Sequence, residues 1–199
     1  MRAAATNRRD YQIISGLIDQ GARVLDLGCG DGALLSHLQD VRKVSGYGIE
    51  LDDAKVRASV KNGINVVQAD LERGLSGFND SSFDYVILSL TLQTVHHTEK
   101  IVREMLRVGK QVIVTFPNFG FWKHRIQIFT GRVPVSKSLP YEWYNTPNIH
   151  VLTIKDFEMF CDTHNMNVID RIVLNEAGNP IRTLPNFLGM LAIYRFDKK

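Results

Sequence analysis

The chain has 199 residues, enough for one domain with a sizeable buried core. Hydrophobic residues make up 44% of it and charged residues 23%, with a net charge of +3 at pH 7, too mild a basic excess to point to nucleic acid by itself. No apolar run reaches membrane-spanning length, Met1 to Asp10 lead into no signal-type segment, and Cys29 and Cys161 lack metal-ligand spacing, so a cytoplasmic chain without a disulfide framework or metal is expected.

In chain order, Asp10 is expected to cap a short helix carrying Ile13, Ile14, Leu17 and Ile18 on one face, with Gly21 ending it. Arg23 to Leu27 reads as a first strand, followed by a glycine turn and a helix bearing Leu34, Leu35 and Leu38. Val44 to Ile49 is a second strand stopping at Glu50, and a helix over about Asp53 to Lys61 follows. Asn65 to Gln68 and Phe83 to Leu88 are the third and fourth strands, the latter preceded by the turn-rich Asn79-Asp80-Ser81-Ser82. A helix over about Glu99 to Arg107 then leads to a fifth strand, Gln111 to Phe116. Strands alternating with helices at this spacing predict a parallel sheet covered on both faces. Toward the C-terminus, Thr153 and Asp156 form a capping-box pattern. Val168 to Leu174 and Leu188 to Phe196 read as a closing antiparallel pair joined by a loop over Asn175 to Pro185. One domain over 1–199 is expected, with an aromatic and basic insertion at 117–150 after the fifth strand.

Val24-Leu-Asp-Leu-Gly-Cys-Gly-Asp-Gly32 organises the rest. A buried strand breaking into alternate glycines reads as a ligand-binding turn, because glycine takes positive φ freely and lets a ligand approach the backbone. Such turns commonly hold a pyrophosphate on backbone N–H groups. Asp26 disfavours that ligand, since like unit charges at about 4 Å repel by ~4 kcal/mol at an effective dielectric of ~20. S-adenosylmethionine carries no phosphate and brings an ammonium and a sulfonium, which suit a carboxylate; the alternative for Asp26 is a cap on nearby backbone N–H groups. A dehydrogenase is disfavoured by Asp26 and by the lack of room for a separate substrate domain. Glu50 lies 20 residues beyond Gly30, where a carboxylate can accept two hydrogen bonds from ribose hydroxyls. Asp70 ends the next strand and can take an adenine amino group, with Leu71 against the ring, and Ser89 follows the fourth strand. All fall at carboxyl ends of strands, where ligands bind in open α/β sheets. The expected cofactor-binding set is therefore Asp26, Gly28, Cys29, Gly30, Glu50, Leu51, Asp70, Leu71 and Ser89.

From the first strand to Ser82-Phe-Asp-Tyr-Val-Ile-Leu-Ser89, the chain resembles class I S-adenosylmethionine-dependent methyltransferases. That resemblance implies a Rossmann-like, mostly parallel seven-stranded sheet with an antiparallel last strand. Closer still, Leu90-Thr-Leu-Gln93, Glu104 to Gly109, Phe116-Pro-Asn-Phe-Gly120 and Leu139 to His150 resemble the MetW family of methionine biosynthesis, over nearly the whole chain from about Asp10. This resemblance implies an accessory role beside a homoserine O-acyltransferase, with S-adenosylmethionine or S-adenosylhomocysteine as ligand and neither nucleic acid nor membrane as partner. The alternative is active methyl transfer to a small, anionic molecule.

Between Met105 and Tyr141 there is no acidic residue, while basic and aromatic side chains alternate. Such a segment suits an anionic substrate, a protein partner, stacked single-stranded nucleic acid, or plain packing on the sheet. His96, His97, His124 and His150 show no zinc-site spacing, and Cys29 sits in the turn without a base beside it. No catalytic residue is assigned.

Overall fold

The computed structural model describes residues 8–199; Met1–Asn7, most of the start expected to lead into no signal segment, lie outside the described residues. Two compact units are present. One comprises the described residues up to Ser89 with His97–Val114, the other Leu90–His96 with Thr115–Lys199.

The first unit opens with α1 (Arg9–Gly16), whose N-cap is Arg8 and not Asp10. Asp10 lies instead in the first turn, where its carboxylate faces the positive helix end and accepts from Arg8 Nε at 3.2 Å. The helix also ends before Gly21, which turns the chain into β1 at φ 72°. β1 (Arg23–Leu27), α2 (Ala33–Arg42), β2 (Ser45–Glu50), α3 (Asp53–Lys61), β3 (Val66–Gln68), β4 (Phe83–Ser89), α4 (Thr98–Val108) and β5 (Gly109–Pro117, of which Thr115–Pro117 belong to the second unit) follow. The strands run in the order β3-β2-β1-β4-β5, with parallel pairing of β1 to both β2 and β4, and of β2 to β3. Val24, Leu25, Val86, Ile87 and Leu88 are fully buried, as apolar runs in parallel strands require.

α4 buries Ile101, Val102, Met105 and Val108, a stripe at helical spacing. At about 1.5–3 kcal/mol per buried side chain, that stripe holds the helix down. Its last turn also fixes the segment before β4. Arg107 donates to the Glu104 carboxylate at 2.8 Å, to Asp80 at 2.7 Å, and to the carbonyls of Phe78 and Leu75 at 2.9 and 3.0 Å.

The second unit contains α5 (Trp122–Phe129), α6 (Ile154–Thr163), β6 (Met166–Leu174), β7 (Pro180–Ile181), α7 (Pro185–Leu188) and β8 (Leu191–Lys198). β6 pairs antiparallel with both β8 and β7, so the expected antiparallel C-terminal pair is present. Eight strands form among the described residues, where seven are expected; the extra one is the two-residue β7 inside the expected loop. Leu188, expected in the last strand, closes α7, which starts with Pro185 at a position where its missing N–H costs nothing. The rings of Phe116, Phe157 and Tyr194 form the aromatic core, with centroids 4.8 to 5.9 Å apart. The Thr153–Asp156 capping box is formed, each residue's side chain accepting from the other's backbone N–H.

Asn118 explains the Phe116-Pro-Asn-Phe-Gly120 segment. Fully buried, it donates to Gly189 O at 2.8 Å and Asn186 O at 3.2 Å, and accepts from Gly120 N and Ile154 N at 3.0 and 3.3 Å. One amide thereby ties four backbone groups, of which Ile154 N also donates to the Asn186 side chain at 3.1 Å.

Candidate ligand site at the strand ends

Strand register assembles the site. Leu27 pairs with Ile49 on one side and Leu88 on the other, and Ile49 pairs with Val67. The next residues along β1, β2 and β4, Gly28, Glu50 and Ser89, therefore share one edge, and Leu51, Asp70 and Leu71 follow at the ends of β2 and β3. Gly28, Gly30 and Gly32 take φ of 67°, 62° and 75°, a conformation glycine adopts without strain. The turn is pinned to β2 by Cys29 N donating to Ile49 O at 3.0 Å.

Glu50 is the hub. Its Oε2 accepts from Gly30 N at 2.9 Å, and its Oε1 accepts from Leu51 N and Asp52 N at 2.9 and 3.0 Å. A carboxylate offers about four lone-pair positions, so the geometry leaves room at Oε2 for one ribose hydroxyl. The two expected from the sequence would require Glu50 to share or release a backbone N–H.

Asp26, 2% exposed, pairs across from Gly48, two residues before the Glu50 position. Its pKa is pushed up to about 7, by burial first and by the charge of Glu50 second. A positively charged ligand supplies what this carboxylate lacks. The space over Gly30 is open, since a Cβ there would meet nothing within 4 Å. A buried carboxylate beside a turn with open backbone can take a cationic, phosphate-free ligand.

The remaining expected residues differ in role. Cys29 is buried against Gly48, whose missing side chain makes way for its sulfur. Burial raises its pKa to about 12, so at neutral pH it is a packed thiol and no nucleophile. Leu51 is 61% exposed, an apolar side chain next to Glu50. Asp70 is half-buried and accepts from Glu72 N at 2.9 Å, capping the single 3₁₀ turn Leu71–Arg73. Leu71 and Ser89 are half-buried.

Three supports were not legible in the sequence. Ser59 of α3, fully buried, donates to Gly30 O at 2.9 Å, and Asn62 donates to Asp31 O at 2.8 Å. These bonds hold the carbonyls of Gly30 and Asp31 and tie the turn to α3. Tyr11 of α1 accepts from Arg8 at 3.0 Å, and its pKa is raised to about 12, by burial first and with the charges of Asp26 and Asp31 contributing. Nothing in a lone serine on a helix or a tyrosine upstream of β1 signals such placement.

In the second unit, His124 is fully buried with Nδ1 3.2 Å from Asn118 O and Nε2 2.8 Å from Ser136 Oγ. Burial lowers its pKa, and both ring nitrogens are engaged, which is a structural role. Gln93 brings the Leu90-Thr-Leu-Gln93 and Leu139–His150 segments together, its carbonyl accepting from Ile149 N and His150 N at 2.8 and 3.0 Å.

The sequence pattern of the family described as "Methionine biosynthesis protein MetW" matches residues 8–196. A bifunctional methionine biosynthesis protein MetXA/MetW of Rhodopirellula baltica is 37% identical over 187 residues. The match covers 89% of this chain, which spans 30% of that relative's length. Among solved structures, an S-adenosylmethionine-dependent methyltransferase of Mesorhizobium loti superposes with a TM-score of 0.71 at 15% identity, covering 97% of this chain and 99% of that one. A possible histamine N-methyltransferase of Thermotoga maritima gives 0.70 at 17%, covering 96% and 88%. At such identities the likeness establishes the fold: α/β, of the class I methyltransferase type. Among the described residues no helix is long and apolar enough to cross a membrane.

Proposed function

Because the chain belongs to the MetW family of methionine biosynthesis proteins, we propose that it binds S-adenosylmethionine at the β1–β4 strand ends and acts as accessory partner of a homoserine O-acyltransferase. The observation that carries the ligand is the buried Asp26 beside an open glycine turn. In the proposed complex, Asp26 faces the positive charge, Glu50 takes a ribose hydroxyl, and Asp70 with Leu71 takes the adenine. Ser89 and Leu51 close the edge. S-adenosylmethionine brings a transferable methyl group when bound; the chain's own residues hold and orient it.

The partnership is supported by the relative that joins MetXA and MetW in one chain. S-adenosylmethionine is an end product of methionine synthesis. A ligand that binds the free and partner-bound forms of this chain with different affinity would therefore report pathway output to an early step. Cys29 and His124 are both structurally committed.

A second reading, methyl transfer to a small molecule, is favoured by Gln93, whose Oε1 is buried without a hydrogen-bond donor among the described residues. A buried acceptor of this kind suits an N–H or O–H of a bound molecule.

Acyl transfer to homoserine, measured with the purified acyltransferase alone, with this chain, and with this chain plus S-adenosylmethionine, tests the proposal. The account expects activity to rise severalfold on adding the chain and to respond to the ligand. Unchanged acyl transfer, together with methyl transfer from labelled S-adenosylmethionine to a small acceptor, would replace the accessory role with the second reading.

A further inference from the structure

The second unit exposes large apolar side chains over a short stretch. Phe129 is 92% exposed, Trp143 71% and Tyr144 70%, and Ile126, Ile128 and Val133 are also on the surface. Solvent exposure of so much apolar area in one stretch marks an interaction surface more often than a loop end. The stretch is also held in shape. The Gln127 side chain clamps Val135 from both sides, donating to its carbonyl at 3.1 Å and accepting from its N–H at 2.9 Å. The buried His124 ring anchors Ser136 at 2.8 Å. Around Trp143 and Tyr144, Glu142 N donates to the Asn145 side chain at 3.0 Å, and Asn145 N returns a bond to Glu142 O at 3.2 Å. The two rings pack edge to face at 5.7 Å on this closed turn. Rigid, exposed aromatics bind without the entropy loss of ordering a loop.

We propose that residues 126–144 form the docking face for the homoserine O-acyltransferase, with Phe129 and Trp143 as anchors; this rests on the accessory reading above. Charge favours that occupant having an apolar recess with an acidic rim. Across 126–144 the charged residues are the exposed Arg132 and Lys137 and one acid, Glu142, beside Trp143, which leaves a basic excess, while Lys123 just before the stretch is paired with Glu176 at 2.6 Å. Aromatic anchors with a basic fringe are the composition of a protein-binding hot spot. The fused relative supplies the partner: MetXA shares a chain with the region matching this one.

The test measures binding of the full-length chain to the purified acyltransferase of the same organism by calorimetry. Phe129→Ser and Trp143→Ala are each expected to weaken binding at least tenfold. Arg132→Glu, a change at an exposed position, is expected to weaken it severalfold, most at low salt. Melting temperature and S-adenosylmethionine binding should be unchanged in all three. Wild-type affinity in both aromatic variants would overturn the proposal. So would a variant that only dissociates a homodimer of this chain while still binding the acyltransferase, since the face would then be a self-interface. Failure of the wild-type chain to bind at all is a different result, which removes the accessory reading along with the docking face.

Discussion

Asp26 is the residue whose chemistry says most about the ligand. With its folded pKa raised to about 7 against roughly 3.9 in an unfolded chain, the folded protein holds a proton that the unfolded chain has lost between those values. Its contribution to stability is therefore full below about pH 4, falls as pH rises through that window, and is flat above pH 7. A cationic ligand reverses the preference by favouring the ionised carboxylate, so its binding should release a proton below pH 7. We expect calorimetry to show S-adenosylmethionine affinity rising from pH 6 to pH 8. In Asp26→Asn that rise should vanish, with affinity at pH 8 at least about tenfold weaker (~1.4 kcal/mol). An unchanged pH profile in the variant would remove Asp26 from the ligand. The placement of Glu50 and Asp70 near the strand ends was legible because each is an acid at the end of a short strand, and Asp26 because it interrupts an apolar run two residues before a glycine. Ser59 and Asn62 were not, because their roles arise from tertiary bonds to the turn, which no local spacing encodes, and neither was Tyr11, which meets the charges of Asp26 and Asp31 only through the fold.

Among the elements, the glycine turn lets the proposed ligand binding be tested apart from folding. Gly30 and Gly32 both have positive φ, but their surroundings differ. A Cβ on Gly30 would enter open space, whereas one on Gly32 would lie 2.8 Å from Ile64 Cγ1 and 3.0 Å from Ser59 Oγ. Gly30→Ala should therefore cost only the left-handed backbone strain, about 1–2 kcal/mol. It should also weaken S-adenosylmethionine binding at least tenfold by filling the ligand's space. Gly32→Ala adds overpacking of about 1–3 kcal/mol to similar strain and should lower the melting temperature markedly more. Thermal unfolding with ligand titration on both variants checks this, and equal binding losses at equal stability would contradict it. The parallel-strand elements were readable to within a residue or two, because their apolar runs and glycine or acid stops are strong local signals. β7 and α7 were missed because Asn175 to Pro185 is rich in turn formers, and its two-residue pairing with β6 is made by tertiary context. The helix start at Arg8 instead of Asp10 has a similar origin: Arg8 is fixed by side-chain bonds to Asp10 and Tyr11 that propensity does not anticipate.

For the molecule as a whole, the α/β pattern and the antiparallel C-terminal strands fix a methyltransferase-type fold, and the family follows from the matched sequence. The segments that carry the family likeness prove to be fastenings. Arg107 gathers the stretch before β4, Asn118 ties α6 and α7 to the end of β5, and Gln93 joins the post-β4 turn to the Leu139–His150 segment. Arg107 and Asn118 act through their side chains and Gln93 through its backbone carbonyl, while the exposed aromatics at 129, 143 and 144 form the proposed partner surface. The proposal that the strand-end site holds S-adenosylmethionine and not a dinucleotide is decided by calorimetric titration of the full chain at pH 7.5 with each ligand. It predicts saturable one-to-one binding of S-adenosylmethionine and no heat with NAD; tight NAD binding with no response to S-adenosylmethionine would contradict it.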